Sequence, residues 1–451
     1  MPKFSDSMLW GSSTNAQQFE GAYDADGKGL TIADVRNLDM DTITPSDFDK
    51  FKVASDHYHH LNEDIELWGQ MGMQIQRFTM AWARIFPNGD DAEPNAAGFA
   101  FYDRMVDGFI ARGIVPVCTL YAYDLPLSLL ERFGGWASRK TIDAYLRYVR
   151  TVVTHFKGRI KYYVPFNEQN FMFDDYEYIT GSSCDTPLDV FRLEHHCNLA
   201  LAQATCVIHE CDPDAKCGGN VGNSCFYPAT CAPADAEAAD ELYYRCAVNF
   251  GDICARGEYT PRYLDLYRGF DLSEVILPGD LDIIASIEPD FLSTTYYTSV
   301  IISKDTSLKD AMDNRKVQNP YCNYTDWGWS IDPYGFKRVL EDLWSRYRLP
   351  IVVMENGMGA YDTVEEDGSI NDTYRIDYLR AHIERMAEAV ANGVQVEAYM
   401  TWSATDLYST REGLEKRYGF VYVDSETLER KKKASFEWYK KVMASNGEDL
   451  A

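Results

Sequence analysis

Nowhere in this chain do eighteen apolar residues run together, and its opening stretch, Met1 to Trp10, holds no apolar signal core. Neither a membrane-spanning helix nor a secretory leader is therefore expected, and the protein reads as cytoplasmic. Basic residues are scarce: 43 Lys and Arg stand against 70 Asp and Glu, a formal charge of −27. Such a field opposes nucleic acid or an anionic membrane as a partner, and any anionic substrate would need a local basic pocket. The 11 cysteines show no CxxC spacing, which fits reduced thiols better than a disulfide framework. No Pro/Gly/Ser-rich linker divides the chain. With 46% hydrophobic residues and 25% charged it has the material for a large core, so one domain over residues 1–451 is expected.

Strand-like runs recur with helical segments between them: Met8–Ser12, Met73–Met80, Ile114–Leu120, Ile160–Phe166, Ala215–Gly219, Phe291–Tyr297, Ile351–Glu355 and Val396–Trp402. Eight such runs interleaved with helices predict an α/β fold, a single (β/α)8 TIM barrel. Ser55-Asp56 is positioned to cap a helix through Trp68, and Pro233–Asp240 to open a surface helix. Ser435–Met443 carries an apolar face suited to docking on the barrel, while Lys431-Lys432-Lys433 reads as a solvated face.

Two of the runs end in glutamate: Val164-Pro165-Phe166-Asn167-Glu168 and Ile351-Val352-Val353-Met354-Glu355-Asn356-Gly357. A buried parallel strand that turns abruptly polar delivers its last side chain to the barrel mouth. Singly, either Glu would be an ordinary loop residue. Together, 187 positions apart and each beside an Asn, they suit the paired carboxylates of glycoside hydrolysis. The His57-Tyr58-His59-His60 run fans around a helix, and His195, His196, Cys197, Cys206, His209 and Cys211 lack ligand spacing. Neither group suggests a metal, and no cofactor is expected.

Asn167-Glu168 and Glu355-Asn356-Gly357 resemble the acid/base and nucleophile motifs of glycoside hydrolase family 1, the β-glucosidase family. The similarity runs from Leu9-Trp10-Gly11 to the last helix. It passes through Gln18-Phe19-Glu20-Gly21-Ala22, Arg84-Ile85-Phe86-Pro87, Gly134-Gly135-Trp136, Trp327-Gly328-Trp329 and Arg417-Tyr418-Gly419-Phe420. The resemblance implies a retaining mechanism with Glu168 as general acid and base and Glu355 as nucleophile. It implies that Asn167 donates to the sugar 2-hydroxyl, Tyr297 holds Glu355, and Arg77 keeps it ionised. Gln18 and Trp402 would bind and floor the sugar, and Trp329 would stack on the leaving group.

The resemblance also bears on phosphate. Plain β-glucosidases follow the last barrel strand with Trp-Ser-x-x-Asp-x-x-Glu-Trp, whose Glu grips the sugar 4- and 6-hydroxyls. Here Ser409-Thr410 stands in place of Glu-Trp, and Lys416 and Tyr418 follow. This Ser-x6-Lys-x-Tyr spacing is similar to the phosphate clamp of the 6-phospho-β-glycosidases. A carboxylate ~4 Å from a phosphate would cost about 4 kcal/mol per unit charge pair at an effective dielectric near 20. Serine removes that repulsion and Lys416 supplies charge, with Arg411 a further but more surface-like cation. Ala122 stands where most of the family has a sugar-binding His, which leaves a hydrogen bond to be replaced by Tyr121 or Tyr123. Thr295 stands where Asn is usual.

The expected activity is hydrolysis of 6-phospho-β-glucosides such as cellobiose 6-phosphate or aryl glucoside 6-phosphates. A phosphorylated β-glucoside is the expected partner; nucleic acid and membrane are not, and a homo-oligomer is left open. The alternatives are a 6-phospho-β-galactosidase, an unphosphorylated β-glucosidase, and a sugar-phosphate-binding protein with a decayed site.

Overall fold

The computed structural model describes residues 3–35, 52–306, 317–410 and 412–451. Eight parallel strands close a barrel in sequence order: β1 (Leu9–Ser13), β2 (Ile75–Thr79), β3 (Val115–Thr119), β4 (Tyr162–Val164), β5 (Lys216–Pro228), β6 (Phe291–Ile302), β7 (Ile351–Asn356) and β8 (Val396–Trp402). Each pairs only with its neighbours, and β8 closes on β1 with Ser13 opposite Trp402. All eight expected runs became barrel strands. The fifth and sixth extend well past their expected ends, to Pro228 and Ile302, pairing in register beyond the rim.

Strand alternation divides the apolar residues between two cores. Ile75, Val117, Val164, Phe291, Val352, Met354, Ala398 and Met400 fill the barrel interior. Ile351, Val353 and Tyr399 belong instead to the larger layer between strands and helices. Apolar side chains on both faces are what a strand covered inside and out requires. The last helix, Ala434–Ala444, docks as expected: Tyr439 stacks on Phe420 at 4.7 Å and its hydroxyl donates to the Gly11 carbonyl at 2.9 Å.

Two local expectations fail. The helix His57–Met71 starts where predicted, but Asp56 sits at φ 52° with no capping bond; its carboxylate pairs with His59, and Ser55 donates to the Asp406 carbonyl. Lys433 is not solvated. It is buried, ion-paired to Asp362 and, at 2.7 Å, to Asp406, so the long-range fold captured a charge that its run suggested was free. Among the described residues no helix is long and apolar enough to cross a membrane.

Candidate active site

The polar ends of the strands converge on one buried network. Arg77, on β2, is fully buried and spans it. One guanidinium nitrogen donates to Glu355 Oε1 at 2.7 Å and the other to Asn167 Oδ1 at 2.6 Å, while Nε donates to Thr119 Oγ1 at 2.9 Å. Tyr297, on β6, donates its hydroxyl to Glu355 Oε2 at 2.5 Å. Asn356 braces the Glu355 strand from behind, donating to the Tyr296 carbonyl and accepting from Tyr399, both at 2.7 Å.

Glu168 follows β4 in a left-handed conformation, φ 39°, which non-glycine residues rarely adopt and which marks strain held at functional sites. It accepts from Thr295 at Oε1 (2.5 Å) and from Tyr123 at Oε2 (3.0 Å), with the Asn167 amide 3.3 Å from Oε2. Gly222 lies behind it: a Cβ there would fall 2.3 Å from the Phe171 ring and 3.2 Å from Glu168 Oε1. Only glycine leaves the carboxyl its place.

The two tyrosines that flank Ala122 point in different directions. Tyr121 turns away and donates to the Ile179 carbonyl at 2.5 Å. Tyr123, also left-handed at φ 67°, reaches in, so its one hydroxyl donates to Glu168 and accepts from Asn167 at 3.1 Å. Nothing in the sequence said which of the two faces Glu168. Thr295 had no role assigned to it, and its contact with Glu168 depends on the register that sets it beside Glu355.

Burial raises both carboxyls. Glu355 is lifted to about 7 by desolvation; Arg77 and Tyr297 pull it down, and the charge on Glu168 pushes it up. Arg77 touches Glu355 but reaches Glu168 only through its longer-range field. The arrangement therefore favours a single proton on Glu168, since that removes the upward push on Glu355 and leaves the cation in contact with an ionised carboxylate.

A second cluster adjoins the first. Trp329 packs 5.3 Å from Tyr297, and the Lys416 ammonium lies 3.9 Å over its ring. Trp402 ends β8, nearly buried, with its ring 6.5 Å from Tyr418. Gln18 donates to the Tyr408 carbonyl at 2.9 Å, which ties it to the turn that carries Ser409. Lys416 is fully buried with its ammonium 5.7 Å over the Tyr418 ring, and the Tyr418 hydroxyl is pushed up by burial. Arg417 points away, donating to the Val423 carbonyl at 2.7 Å, and Arg411 lies outside the described residues. One feature corrects the sequence reading: a carboxylate stands between Ser409 and Lys416. Glu412 accepts from Ser409 Oγ at 2.7 Å and lies 3.5 Å from Lys416 Nζ.

Two carboxyls beyond barrel strand ends, Glu355 buried and Glu168 half-buried, with Glu355 held by Arg and Tyr, are the parts of a two-carboxylate glycosidase. The family model described as glycosyl hydrolase family 1 matches residues 1–448. The chain belongs to this family. Among its relatives, a 6-phospho-beta-glucosidase of Clostridium longisporum is 41% identical, over 99% of this chain and 98% of its own. A phospho-cellobiase of Klebsiella oxytoca is 39% identical over the full length of both. The family 1 b-glucosidase from Thermotoga maritima, a solved structure, superposes with a TM-score of 0.89 at 31% identity, covering 99% of each chain. As a family 1 member the protein is a retaining glycoside hydrolase on a (β/α)8 barrel, as expected.

Proposed function

We propose that the protein hydrolyses 6-phospho-β-glucosides by double displacement, as one catalytic domain over residues 1–451. Glu355 attacks the anomeric carbon while Glu168 protonates the leaving oxygen. Forming the ester discharges Glu355, so the carboxylate left on Glu168 no longer faces a second anion and can take a proton from water. Tyr297 and Arg77 position the nucleophile. Asn167, with its amide nitrogen directed between Tyr123 and Glu168, is placed to donate to the 2-hydroxyl. Gln18 and Trp402 border the sugar. Trp329, set between Tyr297 and Lys416, walls the phosphate side as well as serving any leaving group.

The observation that carries the substrate assignment is the buried Lys416 beside Ser409 and Tyr418, at the end of the strand that bears Trp402. This buried ammonium already takes an anionic partner, Glu412 at 3.5 Å, so the site is built to hold an anion. The relatives named for phosphorylated glucosides, at 39 and 41% identity, support the same assignment. The test compares p-nitrophenyl β-glucoside 6-phosphate with the unphosphorylated glucoside. The wild type should prefer the phosphate strongly, and Lys416→Ala should lose about 2–3 kcal/mol, or 30- to 150-fold in kcat/KM, on the phosphorylated substrate alone. Equal rates on the two substrates would contradict it.

A further inference from the structure

The clamp in this chain is already filled by one of its own side chains. Glu412 Oε2 accepts the Ser409 hydroxyl at 2.7 Å and stands 3.5 Å from the Lys416 ammonium. Its charge also acts on Tyr418, as does that of Glu355. A single carboxylate oxygen thus takes up the positions where a phosphate oxygen would meet Ser409 and Lys416.

Lys416 cannot move out to meet an anion. Its side chain is wholly buried, and its ammonium lies 3.9 Å over Trp329, 5.4 Å over Trp327 and 5.7 Å over Tyr418. Its stem passes Gly359 so closely that a Cβ there would lie 2.5 Å from Cγ. Glu412 is different. Its side chain keeps 20% of its surface exposed, and it sits in a tight turn closed by two 3.0 Å bonds between the Ser409 and Gly413 backbones. A rotamer change can swing the carboxylate into solvent while the turn keeps Ser409 in place.

We propose that Glu412 is the internal ligand of the phosphate clamp and a specificity determinant: a carboxylate that neutralises Lys416 in the empty enzyme and must be displaced by the substrate's phosphate. The inference rests on the phosphoglucoside reading above. A 6-phosphate brings nearly two charges and three acceptor oxygens, so it outcompetes a single tethered carboxylate. A neutral 6-hydroxyl, or a weak monoanion, does not. The displacement lowers apparent affinity by the fraction of enzyme whose clamp is open.

Glu412→Ala and Glu412→Gln test this, with inorganic phosphate as a probe of the clamp. Both variants should show a lower KM for p-nitrophenyl β-glucoside 6-phosphate and a lower Ki for inorganic phosphate. The expected change is about tenfold in Glu412→Ala, as for a clamp open a tenth of the time in the wild type. Glu412→Gln keeps the bulk and the Ser409 contact but loses the charge, so it should move in the same direction. If KM and Ki stay unchanged or rise in both variants, while the wild type still prefers the phosphorylated substrate, the role of Glu412 is refuted and the substrate assignment stands. If the wild type turns over both glucosides equally and phosphate inhibits no form, both fall together.

Discussion

Glu355 is held by a cation and a phenol, whereas Glu168 is held by neutral donors alone: Thr295, Tyr123 and the Asn167 amide. Glu355 is buried and Glu168 half-buried, both are desolvated, and the difference in partners separates their states. In the mechanism we propose, contact with Arg77 makes Glu355 the carboxylate that attacks. The neutral shell lets Glu168 carry the proton and later give it up. That mechanism draws a nucleophile and an acid from the same residue type.

The sharpest way to break this asymmetry is to remove the cation. Arg77→Met should raise the Glu355 pKa, because its largest downward influence is gone. The acid limb of kcat/KM would move to higher pH by more than one unit, since the nucleophile must be ionised. Loss at pH 7 should be on the order of 10³-fold, from the missing charge and the lost anchor of Asn167. A pH–rate profile with the acid limb in place would show that Arg77 only packs.

The smaller test exchanges one phenol at a time. Tyr297→Phe and Tyr123→Phe each remove a donor that favours an ionised carboxylate, and each should cost roughly 5- to 30-fold, a hydrogen bond to a charged group. Their pH signatures should differ. Tyr297→Phe raises Glu355 and lifts the acid limb. Tyr123→Phe raises Glu168 and lifts the alkaline limb, extending activity to higher pH. If both variants shift the same limb, the two carboxyls are not held in distinct states.

The barrel and the Glu355 strand end were legible in the sequence because each is written in local pattern: an apolar run, then Glu and Asn. β5 hid its length beyond Gly219 because Asn220, Gly222 and Asn223 do not look like a strand, although pairing to β6 holds them there. What the sequence could not show was decided by pairing across long separations. Tyr123 rather than Tyr121 faces Glu168, and Lys433 is buried between Asp362 and Asp406. The spacing of Ser409, Lys416 and Tyr418 suggested a site freed of carboxylate. Glu412, three positions after Ser409, folds back in a turn and restores one.

The roles assigned to the two carboxyls are tested most directly by trapping the intermediate with a 2-deoxy-2-fluoro β-glucoside 6-phosphate that bears a good leaving group. Digestion and mass spectrometry should place the sugar phosphate on the peptide containing Glu355, in one-to-one stoichiometry. A label on Glu168, or steady turnover with no covalent species, would contradict the assignment.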